Sequence, residues 1–258
     1  MQEKVYFKNS KGQRLVGIID RDETKATQKL AMIFGNFNSY KDSAKQISLS
    51  EFFVSLGFAT FRFDYRGRGE SEGDISYATF TSGVEDTRAA LEFMKNQLWV
   101  DINKIGLFGS GLGAAFAVLE AARNSNYKFL VLGAPRAEIR SLYKNADIDD
   151  WRENDFYHAK GVNYHISIHD DSLQYDIYKD AKKVEVPTLI VSGDGEDIHL
   201  DGQDKKLKKA IKGSDLIVVE ECNNMYCAVS KDDALEILKT WLIEKHIIYL
   251  ESEWISQF

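Results

Sequence analysis

Lys104-Ile105-Gly106-Leu107-Phe108-Gly109-Ser110-Gly111-Leu112-Gly113-Ala114-Ala115 runs from an apolar strand through a glycine-rich turn into a helix. Its spacing matches G-x-S-x-G, the elbow that holds a serine nucleophile on a strained strand-to-helix turn. The outer glycines are Gly109 and Gly113. The central position, where the serine belongs, is Gly111, and Ser110 stands one place early. A residue at that apex takes positive φ, which costs a non-glycine residue about 1–3 kcal/mol. Glycine adopts the geometry with little penalty. Once selection for catalysis is lifted, a serine-to-glycine change relaxes the turn.

Outward from this turn, the pattern alternates strands and helices. Residues 4–8 and 14–20 form a hairpin around Asn9-Ser10-Lys11-Gly12. Short apolar runs at 29–34, 58–64, 129–133, 186–193 and 215–219 read as buried strands. Helical spacing appears near 43–56, 79–96, 203–212 and 231–245, and the elbow strand and its helix take up 104–123. That alternation predicts an α/β fold with a mostly parallel sheet of about eight strands and helices on both faces. Residues 136–183 interrupt it. They are polar, rich in Tyr, Asp and His, and fall between two sheet strands, the place for a small inserted cap. The chain reads as a single domain over 1–258, with a C-terminal extension at 246–258.

Composition narrows the function. The 258 residues are 44% hydrophobic and 28% charged, with a formal net charge of -7. The acidic balance argues against nucleic acid and anionic membrane surfaces as partners. No apolar run is long enough to span a bilayer, and the start, Met1-Gln2-Glu3-Lys4-Val5-Tyr6-Phe7, has no apolar signal core. Cys222 and Cys227 have no metal-spaced partners and read as reduced thiols of a cytoplasmic protein. The histidines His158, His165 and His169 are unevenly spaced, unlike a metal set. Neither metal nor cofactor is expected.

With these motifs together, the chain resembles an α/β-hydrolase, most nearly the small-cap carboxylesterases of the cinnamoyl/feruloyl-esterase type. The resemblance runs from about residue 3 to 245. It rests on Phe63-Asp64-Tyr65-Arg66-Gly67-Arg68-Gly69-Glu70-Ser71, the Ile105–Ala115 elbow, Val191-Ser192-Gly193-Asp194, and Glu220-Glu221-Cys222-Asn223-Asn224-Met225-Tyr226. It implies a triad whose nucleophile position is Gly111, whose acid is Glu196, three residues after Gly193, and whose histidine position is Asn224. The oxyanion loop, which begins His-Gly in such relatives, is Phe34-Gly35 here. Its backbone donors would be Leu112 and either Asn36 or Phe37, around Gly35. An asparagine cannot shuttle the serine's proton, because its amide does not titrate near neutrality. Loss of a triad nucleophile or base removes about 10⁶ in kcat, roughly 8 kcal/mol of transition-state stabilisation. The backbone donors and the positive end of the elbow helix survive such losses.

The leading expectation is therefore a catalytically degenerate, esterase-like homologue that binds a small acyl or carboxylate ligand or a protein partner. The alternative is an active carboxylic-ester hydrolase with a rearranged site that uses Ser110, Glu196 or Asp197, and His199. That site requires Ser110 Oγ and a His199 ring nitrogen within about 3 Å. A third reading is a structural subunit that self-associates through the apolar tail, His246-Ile247-Ile248-Tyr249-Leu250-Glu251-Ser252-Glu253-Trp254-Ile255-Ser256-Gln257-Phe258. The aromatics Trp151, Phe156, Tyr157, Tyr164, Tyr175 and Tyr178 either line a pocket or pack the cap. Arg66 and Arg68 read as a structural turn in which an arginine pairs with a nearby carboxylate.

Overall fold

The computed structural model describes residues 1–37, 39–159, 162–222 and 232–249. Ten strands and nine α-helices are assigned among them. The strands are β1 (Gln2–Lys8), β2 (Arg14–Asp20), β3 (Gln28–Phe34), β4 (Ala59–Asp64), β5 (Val100–Ser110), β6 (Leu130–Gly133), β7 (Phe156–Ala159), β8 (Val162–His165), β9 (Thr188–Gly193) and β10 (Asp215–Val219). The helices are α1 (Ala44–Ser55), α2 (Phe80–Lys95), α3 (Leu112–Ala121), α4 (Ile148–Asn154), α5 (Ser167–Ser172), α6 (Ile177–Ala181), α7 (Asp197–Leu200), α8 (Gln203–Ala210) and α9 (Asp232–Glu244).

Eight strands form one sheet in the order β1-β2-β4-β3-β5-β6-β9-β10. β1 and β2 pair antiparallel, and β2 meets β4 antiparallel. From β4 onward every pairing is parallel. The central strands are apolar on both faces because both faces are covered. Along β3, Leu30, Met32 and Phe34 enter one core while Ala31 and Ile33 enter the other. The first core is closed by α2, α3, α6 and α8 through residues such as Val84, Phe116, Ile177 and Leu207. The second is closed by α1 and α9 through Leu49, Phe53, Leu238 and Trp241.

The outer glycines of the elbow are fixed by close approach. A Cβ on Gly113 would lie 2.2 Å from the Phe34 carbonyl oxygen and 2.4 Å from that of Gly35. A Cβ on Gly109 would lie 2.4 Å from the Gly113 oxygen. α3 therefore rests directly on the backbones of β3 and β5, and only glycine permits that approach.

Between β6 and β9 the chain leaves the sheet and forms α4, the β7–β8 hairpin, α5 and α6. The hairpin was not apparent from the sequence, because its strands are four residues each and polar-rich. This insertion has its own small core of Tyr143, Trp151, Ile166 and Ile168. Trp151 is 1% exposed, and its indole N–H donates to the Tyr164 carbonyl at 2.8 Å. Tyr175 packs on Phe80 of α2, with ring centroids 4.5 Å apart. Thr81 N–H and Oγ1 donate to the Asp171 carboxylate at 2.8 and 2.6 Å, which ties the insertion to α2. Among the described residues no helix is long and apolar enough to cross a membrane.

Candidate functional site

The site is built where β5 gives way to α3. Gly111 has φ 59° and ψ −123°, a backbone conformation that residues with side chains rarely adopt. Its N–H donates to the Gly133 carbonyl at 3.1 Å, and its own carbonyl accepts from Arg136 N–H at 3.0 Å. The turn is thus gripped from β6 and from the segment that follows it.

The space above Gly111 is occupied by Asn36. A Cβ built on Gly111 would lie 2.8 Å from Asn36 Oδ1, 2.9 Å from its Cγ and 3.2 Å from its Cβ. Leu112 N–H donates to Asn36 Oδ1 at 3.3 Å. The expected backbone donors are Leu112 and either Asn36 or Phe37; here the Leu112 N–H is taken up by the Asn36 side chain, which faces it as an acceptor. The Asn36 carbonyl accepts from Ser39 N–H at 2.7 Å and from Ser39 Oγ at 2.8 Å. Gly35 sits against Gln46 of α1, since a Cβ there would lie 2.0 Å from Gln46 Nε2. Phe37 is buried, with its ring 5.4 Å from Tyr65 and 6.1 Å from Phe116.

Ser110 does not reach this space. It ends β5 opposite Gly133, and strand alternation puts its side chain on the face of Phe108, over the second core. It is 1% exposed, and its hydroxyl has no hydrogen-bond partner among the described residues.

The acid loop follows β9. Glu196 is 4% exposed, and neither carboxylate oxygen has a hydrogen-bond partner among the described residues. Burial, and then the charge of Asp197, push its pKa up to about 7, against the opposing pull of Lys45 and Arg136. Lys45, in the first turn of α1, is lowered to about 8 by burial, with Glu196 opposing. Asp197 points outward and meets Arg136 Nη2 at 3.0 Å. His199 Nδ1 lies 2.6 Å from Asp204 Oδ2, and Asp204 is fully buried. Ser110, Asp197 and His199 are therefore directed to three different partners or surfaces, and the serine–histidine contact that a rearranged site requires is not formed. Asn224 lies outside the described residues. The loop leading to it is laced to the acid loop: Cys222 N–H and Glu221 N–H donate to Asp194 at 2.9 and 3.0 Å, and Gly195 N–H donates to the Cys222 carbonyl at 3.0 Å. Those amide donors hold the Asp194 pKa below its usual value. Cys222 is held in a disulfide, which corrects its reading as a reduced thiol.

The Asp64–Ser71 loop beside the site is structural. Arg66 Nε and Nη2 grip the buried Asp86 carboxylate at 3.0 and 2.7 Å. Lys41 Nζ bridges Asp64 at 3.0 Å and Glu70 at 2.7 Å. A separate cleft of about 900 Å³ opens between the Ala137–Ser141 segment and Ser172–Tyr178, and neither Gly111 nor Glu196 lines it. Tyr175 and Tyr178 do line it, whereas Trp151 belongs to the core of the insertion. Sequence reasoning missed the side-chain role of Asn36 and the charges of Lys45, Arg136 and Asp204 around Glu196. None of these carries a motif, and only tertiary placement brings them together.

Residues 40–151, under half of the chain, match the family model described as serine aminopeptidase, S33. An uncharacterized 31.7 kDa protein of the traX-finO intergenic region of Escherichia coli is 35% identical over 79 residues, which is 31% of this chain and 28% of that protein. The match therefore spans little more than a quarter of that relative's length. YtaP of Bacillus subtilis is 23% identical over 78% of this chain and 71% of its own. The ferulic acid-bound structure of Est1E from Butyrivibrio proteoclasticus superposes with a TM-score of 0.81, at 20% identity, over 93% of this chain and 98% of that one. GrgF from Penicillium, an α/β hydrolase, also gives 0.81, at 14% identity, over 95% and 99%. Sheet order, elbow and these neighbours agree: the chain has the α/β-hydrolase fold.

Proposed function

We propose that this chain is a catalytically degenerate, esterase-like homologue that does not hydrolyse esters through an acyl-serine and instead holds a small acyl or carboxylate ligand or a protein partner. One observation carries the reading. Gly111 keeps the backbone geometry of a nucleophile apex, and the Asn36 amide stands where the serine side chain would begin. The substitution of histidine by Asn224 supports it from sequence. A fold shared with esterases does not by itself supply their activity.

The test is turnover of short-chain and hydroxycinnamoyl esters by purified protein, with fluorophosphonate labelling read by mass spectrometry. The expected result is no turnover above background and no adduct. Turnover with an adduct on Ser110, abolished by Ser110→Ala, would establish the alternative, an active hydrolase using Ser110, Glu196 or Asp197, and His199. The orientation of Ser110 and the engagement of His199 by Asp204 weigh against that alternative. Self-association through the tail is a separate proposal, tested by solution mass with and without residues 247–258. A cytoplasmic location requires reduced cysteines. The Cys222 disulfide favours an oxidising compartment instead, and thiol titration of protein recovered without reductant separates the two.

A further inference from the structure

We infer that Asn36 is a built-in occupant of the elbow, held on the Leu112 donor and coupled to the glycine at 111. The inference rests on the degenerate reading above, because both concern the same turn, but its physical content is separate. Asn36 Oδ1 receives the Leu112 N–H at 3.3 Å. In a hydrolase of this layout that N–H serves the substrate oxyanion. The same amide lies 2.8–3.2 Å from the place a Cβ on residue 111 would take, inside the range where a carbon must displace its neighbour. A side chain at 111 therefore requires the Asn36 side chain to shift from this position. The loop that carries Asn36 is itself fastened: Ser39 holds the Asn36 carbonyl, and Gly35 is pressed against Gln46. The side chain must therefore swing away while its backbone stays in place. Glycine at 111 and asparagine at 36 therefore form one coupled unit: Asn36 holds the Leu112 donor only while residue 111 lacks a side chain.

The experiment is a double-mutant cycle on thermal stability in the full chain, using Gly111→Ala and Asn36→Gly. Alanine at 111 carries the same positive-φ strain in both backgrounds, so strain cancels in the cycle and only the clash and the lost Asn36–Leu112 hydrogen bond remain. The fall in Tm caused by Gly111→Ala should be about 2–4 °C smaller in the Asn36→Gly background. Equal falls in the two backgrounds overturn the proposal. If Gly111→Ala does not fold in the wild-type background, its recovery in Asn36→Gly supports the proposal and failure in both overturns it. Amide exchange gives a second readout: Asn36→Gly alone should lose protection at the Leu112 N–H, and unchanged protection counts against the proposal. Neither result depends on ester turnover. Enzyme-like hydrolysis by the wild type would remove the degenerate reading while leaving the cycle to judge Asn36.

Discussion

Two kinds of buried carboxylate lie within this one fold, and they are treated in opposite ways. Asp64 and Asp86 are both fully buried. Asp64 accepts from Lys41 N–H, Lys41 Nζ and Glu70 N–H at 2.7, 3.0 and 3.2 Å. Asp86 accepts from the Arg66 backbone and guanidinium and from Asn9 Nδ2. Burial works against the charge on Lys41, but hydrogen bonds to Glu70, Asp42 and Asp64 hold its pKa above the usual value. Glu196 is almost as buried, yet its oxygens find no donor among the described residues. Buried polar groups are normally satisfied because an unsatisfied one costs about 1–3 kcal/mol. The carboxylates that hold the scaffold obey the rule, and Glu196 does not among the described residues.

The contrast is broken most forcefully at Asp86. Removing one member of a buried, hydrogen-bonded ion pair leaves the other charge unpaired, so Asp86→Ala should cost about 3–5 kcal/mol of stability, read by urea unfolding. A loss under 1 kcal/mol would mean that the Arg66–Asp86 grip is not what holds the loop.

Glu196 should behave in the reverse sense. Its folded pKa is about 7, against an ordinary value of 4.5. The folded state therefore binds the proton more tightly than the unfolded state. The associated stability is fully present below about pH 4.5 and is lost as pH rises through about 7. Above pH 7 the ionised, buried carboxylate is a penalty of roughly 3 kcal/mol. Glu196→Gln keeps the shape and cannot ionise. The variant should be more stable than the wild type at pH 8, and the gap should close toward pH 5. A pH-independent gap would show that Glu196 is solvated or paired in solution, and the contrast with Asp64 would disappear.

The architecture was legible because it depends on burial, which leaves a sequence signature. The apolar run at Leu30–Phe34 and the glycines at 109 and 113 are required by a central parallel strand and a helix laid directly on it. Of the two carboxylates expected near the site, Glu196 is buried and Asp197 faces outward to Arg136. The β7–β8 hairpin was missed because short strands of mixed polarity have no distinct period. The Asn36 contact was missed for a different reason. Sequence located the loop but said nothing about which atom of Asn36 would turn toward Leu112, and a rotamer has no linear signature. His199 had the same problem. Its buried partner Asp204 is only five residues away, yet nothing in that spacing marks them as a pair.

Ser110 gives the smallest effect and the sharpest division between readings. Its hydroxyl is buried over the Phe108 face, without a hydrogen-bond partner among the described residues. Deleting an unsatisfied buried hydroxyl removes a desolvation penalty and leaves a gap no larger than one oxygen. The net change on Ser110→Ala should therefore be within about 1 kcal/mol, in the stabilising direction. A nucleophile would behave otherwise. Stability would again hardly move, but any ester turnover would vanish, because a serine acting with a base contributes as a unit. Unfolding and turnover measured on the same Ser110→Ala preparation thus separate a buried strand residue from a displaced catalyst. The elbow's own geometry favours the first, since the strain that would aim a nucleophile into the site is carried one residue later, by Gly111.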